Sequence, residues 1–242
     1  MTCWLEAIGL TGKVADSTAV LADRGRADVA AKVSLEAIKQ GNPLQQVNIT
    51  AAMVDRGYLA QAVTCSCAFN IIATQDRQLQ LLADLTVVTA QRGYLALLAH
   101  TNARMVRMKA ADVCARASLA LLVNMPQHMN TTRDTTWTMV SEGLSAEAQV
   151  IAERVVILGV DANQADAIAQ STCCLVAEPS LVEFVATTNI ALVRQGHADK
   201  CAAVSRAALA QGEVTAMNTI ALKLVSMGHM DVAAQIGLSM LA

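Results

Sequence analysis

The chain consists of short stretches in which apolar residues recur at helical spacing, separated by polar turns. Five turns contain a glycine that closes one apolar stretch just before the next begins: Gly25, Gly57, Gly93, Gly196 and Gly228. Glycine is common immediately after a helix because it adopts the left-handed backbone conformation without a Cβ penalty. After Gly57, the apolar residues Ala62 and Phe69 lie seven positions apart and therefore on one helix face. The pattern predicts consecutive helix-turn-helix units.

The spacing of the turns predicts a repeat of about 34 residues, because Pro43 and Pro179 both stand where a first helix begins and are 136 residues, or four times 34, apart. Two weaker turns, at Met125-Pro126 and at Gly159, complete the series. The first helices are predicted near residues 9–24, 43–56, 77–92, 111–125, 145–158, 179–195 and 213–227. The second helices are predicted near residues 26–40, 58–75, 94–110, 128–143, 162–177, 197–211 and 229–242. We therefore expect an all-α fold, a right-handed α-solenoid of about seven repeats that forms one domain over residues 1–242.

The repeat resembles the tetratricopeptide repeat and, nearly as well, the related pentatricopeptide repeat. The shared features are the 34-residue unit and the Gly-x-x-Asp-x-Ala form of the sequences that begin at Gly25 and Gly228. Short side chains also recur midway through the first helices: Thr18, Thr50, Thr86, Ser118, Ala152, Asn189 and Ala221. The scarcity of aromatic residues departs from both families, and a helical array of another lineage is the alternative.

The resemblance implies that a ligand lies along an inner surface lined by the first helices. About three helical turns before each glycine or its equivalent, the first helices carry Ala15, Val47, Ala83, Ala115, Gln149, Ala186 and Asn218. This mostly apolar line suits an amphipathic helix or an extended apolar segment of a protein partner. In the pentatricopeptide family the same line reads RNA bases through Asn, Thr or Ser, and only Asn218 fits that role. The sequence thus favours an interaction scaffold.

Composition and charge add one alternative to this picture. Hydrophobic residues make up 54% of the chain and charged residues 16%, and the formal net charge of −2 gives no overall attraction to nucleic acid. A local basic patch is the exception: Arg104, Arg107, Lys109 and Arg116. The patch supports a second hypothesis, an RNA-associated repeat protein of an organelle or a ribonucleoprotein complex, although it also fits a solvated outer helix face.

Candidate catalytic or metal-binding groups lack the spacing that such chemistry needs. Cys65 and Cys67 point to nearly opposite sides of a helix, and the adjacent Cys173 and Cys174 also cannot chelate one metal from a helix. His197 and His229 recur just after the turn glycine, a position that indicates a role in the turn. We therefore expect no enzymatic activity, no cofactor and no metal.

The remaining expectations concern location and assembly. Seven cysteines without a Cys-x-x-Cys pair indicate a reducing compartment, the cytoplasm or an organelle matrix, and the first residues lack the features of a signal peptide. Polar residues interrupt the uncharged stretch from Gly57 to Gln75, so we expect no membrane span. Apolar residues surround the last helix and also occur near the start of the chain, at Trp4, Leu5, Ile8 and Leu10. These two apolar ends predict a homo-oligomer or a place in a larger complex.

Overall fold

The computed structural model describes residues 11–176 and 178–241, and these residues form helices and turns without any strand. Fourteen α-helices lie in the described ranges: α1 (Thr11–Asp23), α2 (Ala27–Lys39), α3 (Gln45–Asp55), α4 (Leu59–Gln75), α5 (Leu79–Gln91), α6 (Leu95–Arg107), α7 (Ala111–Asn124), α8 (Met129–Ser141), α9 (Ser145–Asp161), α10 (Ala165–Cys173), α11 (Val182–Arg194), α12 (Ala198–Ala210), α13 (Val214–Ser226) and α14 (Met230–Leu241). Short 3-10 turns, Pro126–His128 and Pro179–Leu181, precede α8 and α11. Each predicted helix corresponds to one of the fourteen, which confirms an all-α solenoid built from helical repeats.

The described residues divide into two compact units, a first unit up to residue 117 and a second unit from residue 118, and the boundary lies within helix α7. Within the first unit α1 packs beside α3, and α2 packs beside α4, which in turn packs beside α6. Within the second unit α9, α11 and α13 pack side by side, as do α10, α12 and α14. Alternate helices therefore form two layers in each unit, and consecutive helices pack across the layers. One continuous repeat domain over residues 1–242 stays a prediction.

Most of the helices end in the same backbone motif, both at turns within a repeat and at turns between repeats. After α3, the N–H of Gly57 donates to the carbonyl of Val54 at 2.9 Å, and the next N–H, of Tyr58, donates to Met53 at 2.8 Å. This pair of bonds defines a Schellman motif, which requires a positive φ at Gly57, here 84°. The five glycines of the sequence pattern all have positive φ, as do Gly41, Gly143 and Gly212 between the repeats.

The fifth repeat differs from the prediction at Gly159. This glycine lies inside α9, which continues to Asp161, and the turn falls instead at Asn163, whose φ is 57°. A Cβ on Gly159 would lie 2.5 Å from Cδ1 of Ile168 and 2.9 Å from Cδ2 of Leu119. The glycine is therefore needed for close side-chain packing, and its assignment to a turn was wrong.

Two of the short polar residues in the first helices, Thr50 and Thr86, keep their side-chain hydrogen bonds where the helices pack. Thr50 is buried, and its hydroxyl donates to the carbonyl of Gln46 in the preceding turn of the same helix at 2.9 Å. Thr86 donates in the same way to Leu82 at 2.7 Å. Such internal bonds allow a hydroxyl to lie between packed helices at little desolvation cost. In the first unit these helices enclose a core around the fully buried Phe69.

Candidate binding surface

The predicted inner line does not form an open surface along its length. Five of its members have side chains that are buried almost completely: Ala15, Val47, Ala83, Ala115 and Ala186. A methyl group that solvent cannot reach also cannot contact a ligand, so these residues serve the close packing of neighbouring helices. Gln149 is half-buried, and Asn218 on α13 is exposed. Only the last of these positions, at the end of the second unit, belongs to the surface described below.

The predicted basic patch is exposed and lies in the first unit. Arg104 and Arg107 occupy the last turn of α6, and Arg116 lies on α7. Lys109 takes a positive φ of 60°, so it holds the turn position that glycine occupies in other repeats. The position of Lys109 is therefore explained by the turn and does not require a ligand.

The described cysteines are free thiols, and four of them, Cys65, Cys67, Cys114 and Cys201, are buried. Burial raises the pKa of Cys114 and Cys201 to about 12 and that of Cys65 and Cys67 to about 11. Their thiolates, the form that attacks substrates or binds metals, are therefore disfavoured at neutral pH. Within residues 11–176 and 178–241 no three His, Cys, Asp or Glu side chains are grouped to hold a metal ion.

The two histidines of the repeated position lie in turns, as their spacing predicts. The N–H groups of His197 and His229 donate to Leu192 at 3.0 Å and to Leu224 at 2.9 Å, each as the second bond of a Schellman motif. The structure therefore assigns both histidines to the turn backbone.

Helix α13 exposes a face that its equivalent in the preceding hairpin buries. The turns at Gly196 and Gly228 are 32 residues apart, so Leu222 on α13 corresponds to Ile190 on α11. Leu222 is 70% exposed, whereas Ile190, on the helix that packs beside α13, is 5% exposed. Val214 and Val225 are exposed in the same way, although their equivalents, Val182 and Val193, are buried.

Helix α14 extends this face. Its Leu241 is 87% exposed, against 37% for the equivalent Leu209 on α12. Ala234 and Gly237 are exposed, although their equivalents, Ala202 and Ser205, are buried. We call this surface the end face, and it consists of Val214, Asn218, Ala221, Leu222 and Val225 on α13 with Ala234, Gly237 and Leu241 on α14.

A cleft of about 240 Å³ opens into the end face between α13 and α14. Its rim includes Asn218 and Ala221 on α13 and Gly237 on α14, and its lining is mainly apolar. Asn189 of α11 also lines the cleft, and its carboxamide oxygen Oδ1 is buried without a hydrogen-bond partner. Sequence reasoning named Asn189, Asn218 and Ala221 as repeat positions, but periodicity alone gave no sign of a cleft among them.

The second unit contains another cleft, of about 290 Å³, beside the exposed Trp137. Its charged groups are already engaged: Arg133 pairs with Asp134 at 2.9 Å, and Glu178 accepts a hydrogen bond from the Ser180 hydroxyl at 2.8 Å. These contacts leave the end face as the better candidate for binding.

Comparisons of the chain with protein-family models, with curated proteins and with solved structures return no match. The helical repeat architecture therefore rests on the helices and their packing.

Proposed function

We propose that this chain is a non-enzymatic protein-interaction scaffold that docks an amphipathic helix of a partner protein on the end face. The observation that carries the proposal is the exposure of Leu222 beside the burial of Ile190, its equivalent one hairpin earlier. The end face repeats the surface on which α13 itself packs. A helix laid across it would find the apolar stripe that α11 offers to α13.

The buried face of α13 indicates which side chains the partner helix should have. On α13 the buried residues are Ile220 and Leu224, which are four positions apart. Residues at that spacing share one helix face, and both line the cleft together with Asn189 of α11 and Leu209 of α12. A partner helix with aliphatic residues at the same spacing has the matching chemistry.

The proposal includes a family resemblance and a cellular compartment. A tetratricopeptide-like relationship, or a pentatricopeptide-like one, fits the repeat length and the glycine-centred turns, and in the first of these families helix-lined surfaces receive peptides. A reducing compartment, the cytoplasm or an organelle matrix, is supported by the free thiols of the described cysteines. The described helices include none that is long and apolar enough to cross a membrane.

The test uses a fluorescent peptide that spans residues 213–241, because this hairpin is the natural occupant of the equivalent surface on α11 and α12. We expect anisotropy titration of the full chain to show binding in the micromolar range. Leu222→Asp should weaken binding at least about tenfold, since a carboxylate would be desolvated in the interface. Val20→Asp is the matched control, because Val20 is an exposed valine on α1 outside the end face.

Two outcomes would overturn the proposal. One is a peptide that does not bind, and the other is equal binding by the parent chain and Leu222→Asp. Sedimentation velocity of the full chain at high micromolar concentration then identifies the source of the helix. Self-association abolished by Leu222→Asp would make a second copy the partner, and the predicted contribution of Trp4, Leu5, Ile8 and Leu10 to such assembly lies outside the described residues.

A further inference from the structure

The cleft beneath the end face combines an apolar lining with one unmet hydrogen-bond acceptor. Asn189 is only 4% exposed, and its Oδ1 is buried without a partner. A buried polar atom without a partner costs free energy, so a native structure that keeps one offers it to a ligand or to water. Ile220, Leu224 and Ile236 also line the cleft, and their side chains offer no hydrogen bond to a water molecule. The other polar residues of the lining are Ser205, whose hydroxyl already donates to the carbonyl of Cys201 at 2.9 Å, and the exposed Asn218.

The helix positions around the cleft are small, which leaves the space open. Ala221 on α13 and Gly237 on α14 both line it. A Cβ on Gly237 would meet no atom within 4 Å, so the glycine does not serve close packing. Glycine within a helix is less stable than alanine. At Gly237 the missing side chain leaves the space of the cleft open and does not bring two helices together.

Size and chemistry together select the occupant. A cavity of about 150 Å³ accommodates a benzene ring, so the cleft of about 240 Å³ accommodates a bicyclic ring. The occupant must be apolar over most of its surface and must donate one hydrogen bond. Indole meets both requirements, and tryptophan is the side chain that carries it and is enriched among the residues that dominate protein interfaces.

We infer that the cleft receives the indole of a tryptophan on the docked helix, and that the indole N–H donates to Oδ1 of Asn189. The inference rests on the proposed function, because the docked helix supplies the side chain. The carboxamide turns about its last torsion with broad preferences, so Oδ1 can rotate toward the cleft when the ring enters. Asn189 then acts as the residue that distinguishes tryptophan from phenylalanine or leucine.

Indole and 1-methylindole are the probes, because they have nearly the same shape and only indole has an N–H. Ligand-observed NMR titration of the full chain should show indole binding with a Kd on the order of 1 mM, as expected for a small fragment. 1-Methylindole should bind about 2- to 10-fold more weakly, which is the effect of one hydrogen bond. Asn189→Leu should bring the two affinities together, and Asn189→Ala is the second variant if the leucine prevents folding.

Filling the cleft gives the complementary test. Gly237→Leu should abolish binding of both probes, while Gln235→Leu on the exposed side of the same helix should leave both unchanged. Equal binding of the two probes by the parent chain, or discrimination that survives in both Asn189 variants, would overturn the inference. If peptide 213–241 binds but indole does not, the tryptophan inference fails and helix docking stands. If the chain binds indole selectively but does not bind the peptide, the proposal of helix docking is wrong, and the indole group that the cleft binds does not come from a docked helix.

Discussion

The phenol O–H of Tyr94 donates one hydrogen bond that the two carboxylate oxygens of Asp55 share, and each oxygen lies 2.9 Å from the phenol oxygen. Tyr94 directly follows the turn glycine Gly93, and Asp55 is the last residue of α3, so the contact joins two successive hairpins of the first unit. Burial raises the pKa of Tyr94, and the hydrogen bond to Asp55 raises it further. The contact therefore depends on a protonated phenol.

Tyr94→Phe should lower the free energy of unfolding at pH 7 by less than about 1 kcal/mol, because the lost hydrogen bond is partly solvent-exposed. Because the pKa of Tyr94 is raised in the folded state, the protonated phenol contributes its full stabilisation below the ordinary tyrosine pKa. This stabilisation is lost as the pH rises through the pKa of Tyr94 in the folded state. Urea unfolding of the chain and the variant should thus show a smaller difference at pH 10.5 than at pH 7. A difference that is the same at both values would contradict this.

The buried thiols predict a broader loss of stability at alkaline pH. Burial raises the pKa of Cys201 to about 12 from an ordinary value of 9.0, so stability is complete below pH 9 and falls as pH rises toward 12. Each such thiol adds at most about 1.4 kcal/mol per pH unit to the slope. Cys201→Ala should reduce the slope measured by urea unfolding between pH 9 and 11.

Val204→Ala is the control for this prediction, because Val204 is also buried on α12 and does not titrate. It should lower stability at every pH without changing the slope. If Cys201→Ala and Val204→Ala give the same pH dependence, the thiol is not the group that titrates.

The positive-φ turns predict opposite effects for two substitutions. Gly57 has a φ of 84°, and Gly57→Val should destabilise the chain by more than about 1 kcal/mol because a β-branched residue is strained there. Arg77 holds the equivalent turn after α4 with a φ of 58°, and Arg77→Gly should stabilise the chain by up to about 1 kcal/mol. Thermal melts measure both effects. An unchanged melting temperature for Gly57→Val would show that valine is not strained at this position.

Gly159 tests the packing inside α9. Gly159→Ala should destabilise the chain by about 1–3 kcal/mol, since the added methyl would overlap the end of the buried Ile168 side chain. Ile168→Val removes the overlapping atom, so the double variant should be more stable than the sum of the two single effects predicts. Strict additivity in chemical denaturation would show that the two residues do not compete for the same space.

The helices could be predicted from sequence because their ends are encoded locally. A glycine such as Gly57 fixes the Schellman motif by its own backbone preference, whatever packs around it. The same reasoning failed at Gly159, because glycine also serves close packing and Asn163 tolerates the left-handed conformation. A residue type with two physical roles cannot be assigned to one of them by spacing.

The binding surface was less predictable, since it depends on which helix faces have neighbours. Periodicity places Ala186 and Asn218 at the same position of successive first helices, but Ala186 is buried whereas Asn218 is exposed. The excess of apolar residues on the last helix did predict an exposed apolar face, and Leu241 confirms it. The unpartnered oxygen of Asn189 could not be foreseen, because a hydrogen-bond deficit exists only in three dimensions.

The hairpin that forms the end face should also be the part of the second unit that unfolds locally most easily. Helices α13 and α14 each bury two residues, Ile220 with Leu224 and Val232 with Ile236, whereas α11 buries nine. Local opening needs the least free energy where the fewest apolar contacts are broken, so the amides of this last hairpin should exchange with deuterium before those of α11. A helix docked on the end face would slow that exchange across both helices, which makes the rigidity of the hairpin itself a readout of occupancy.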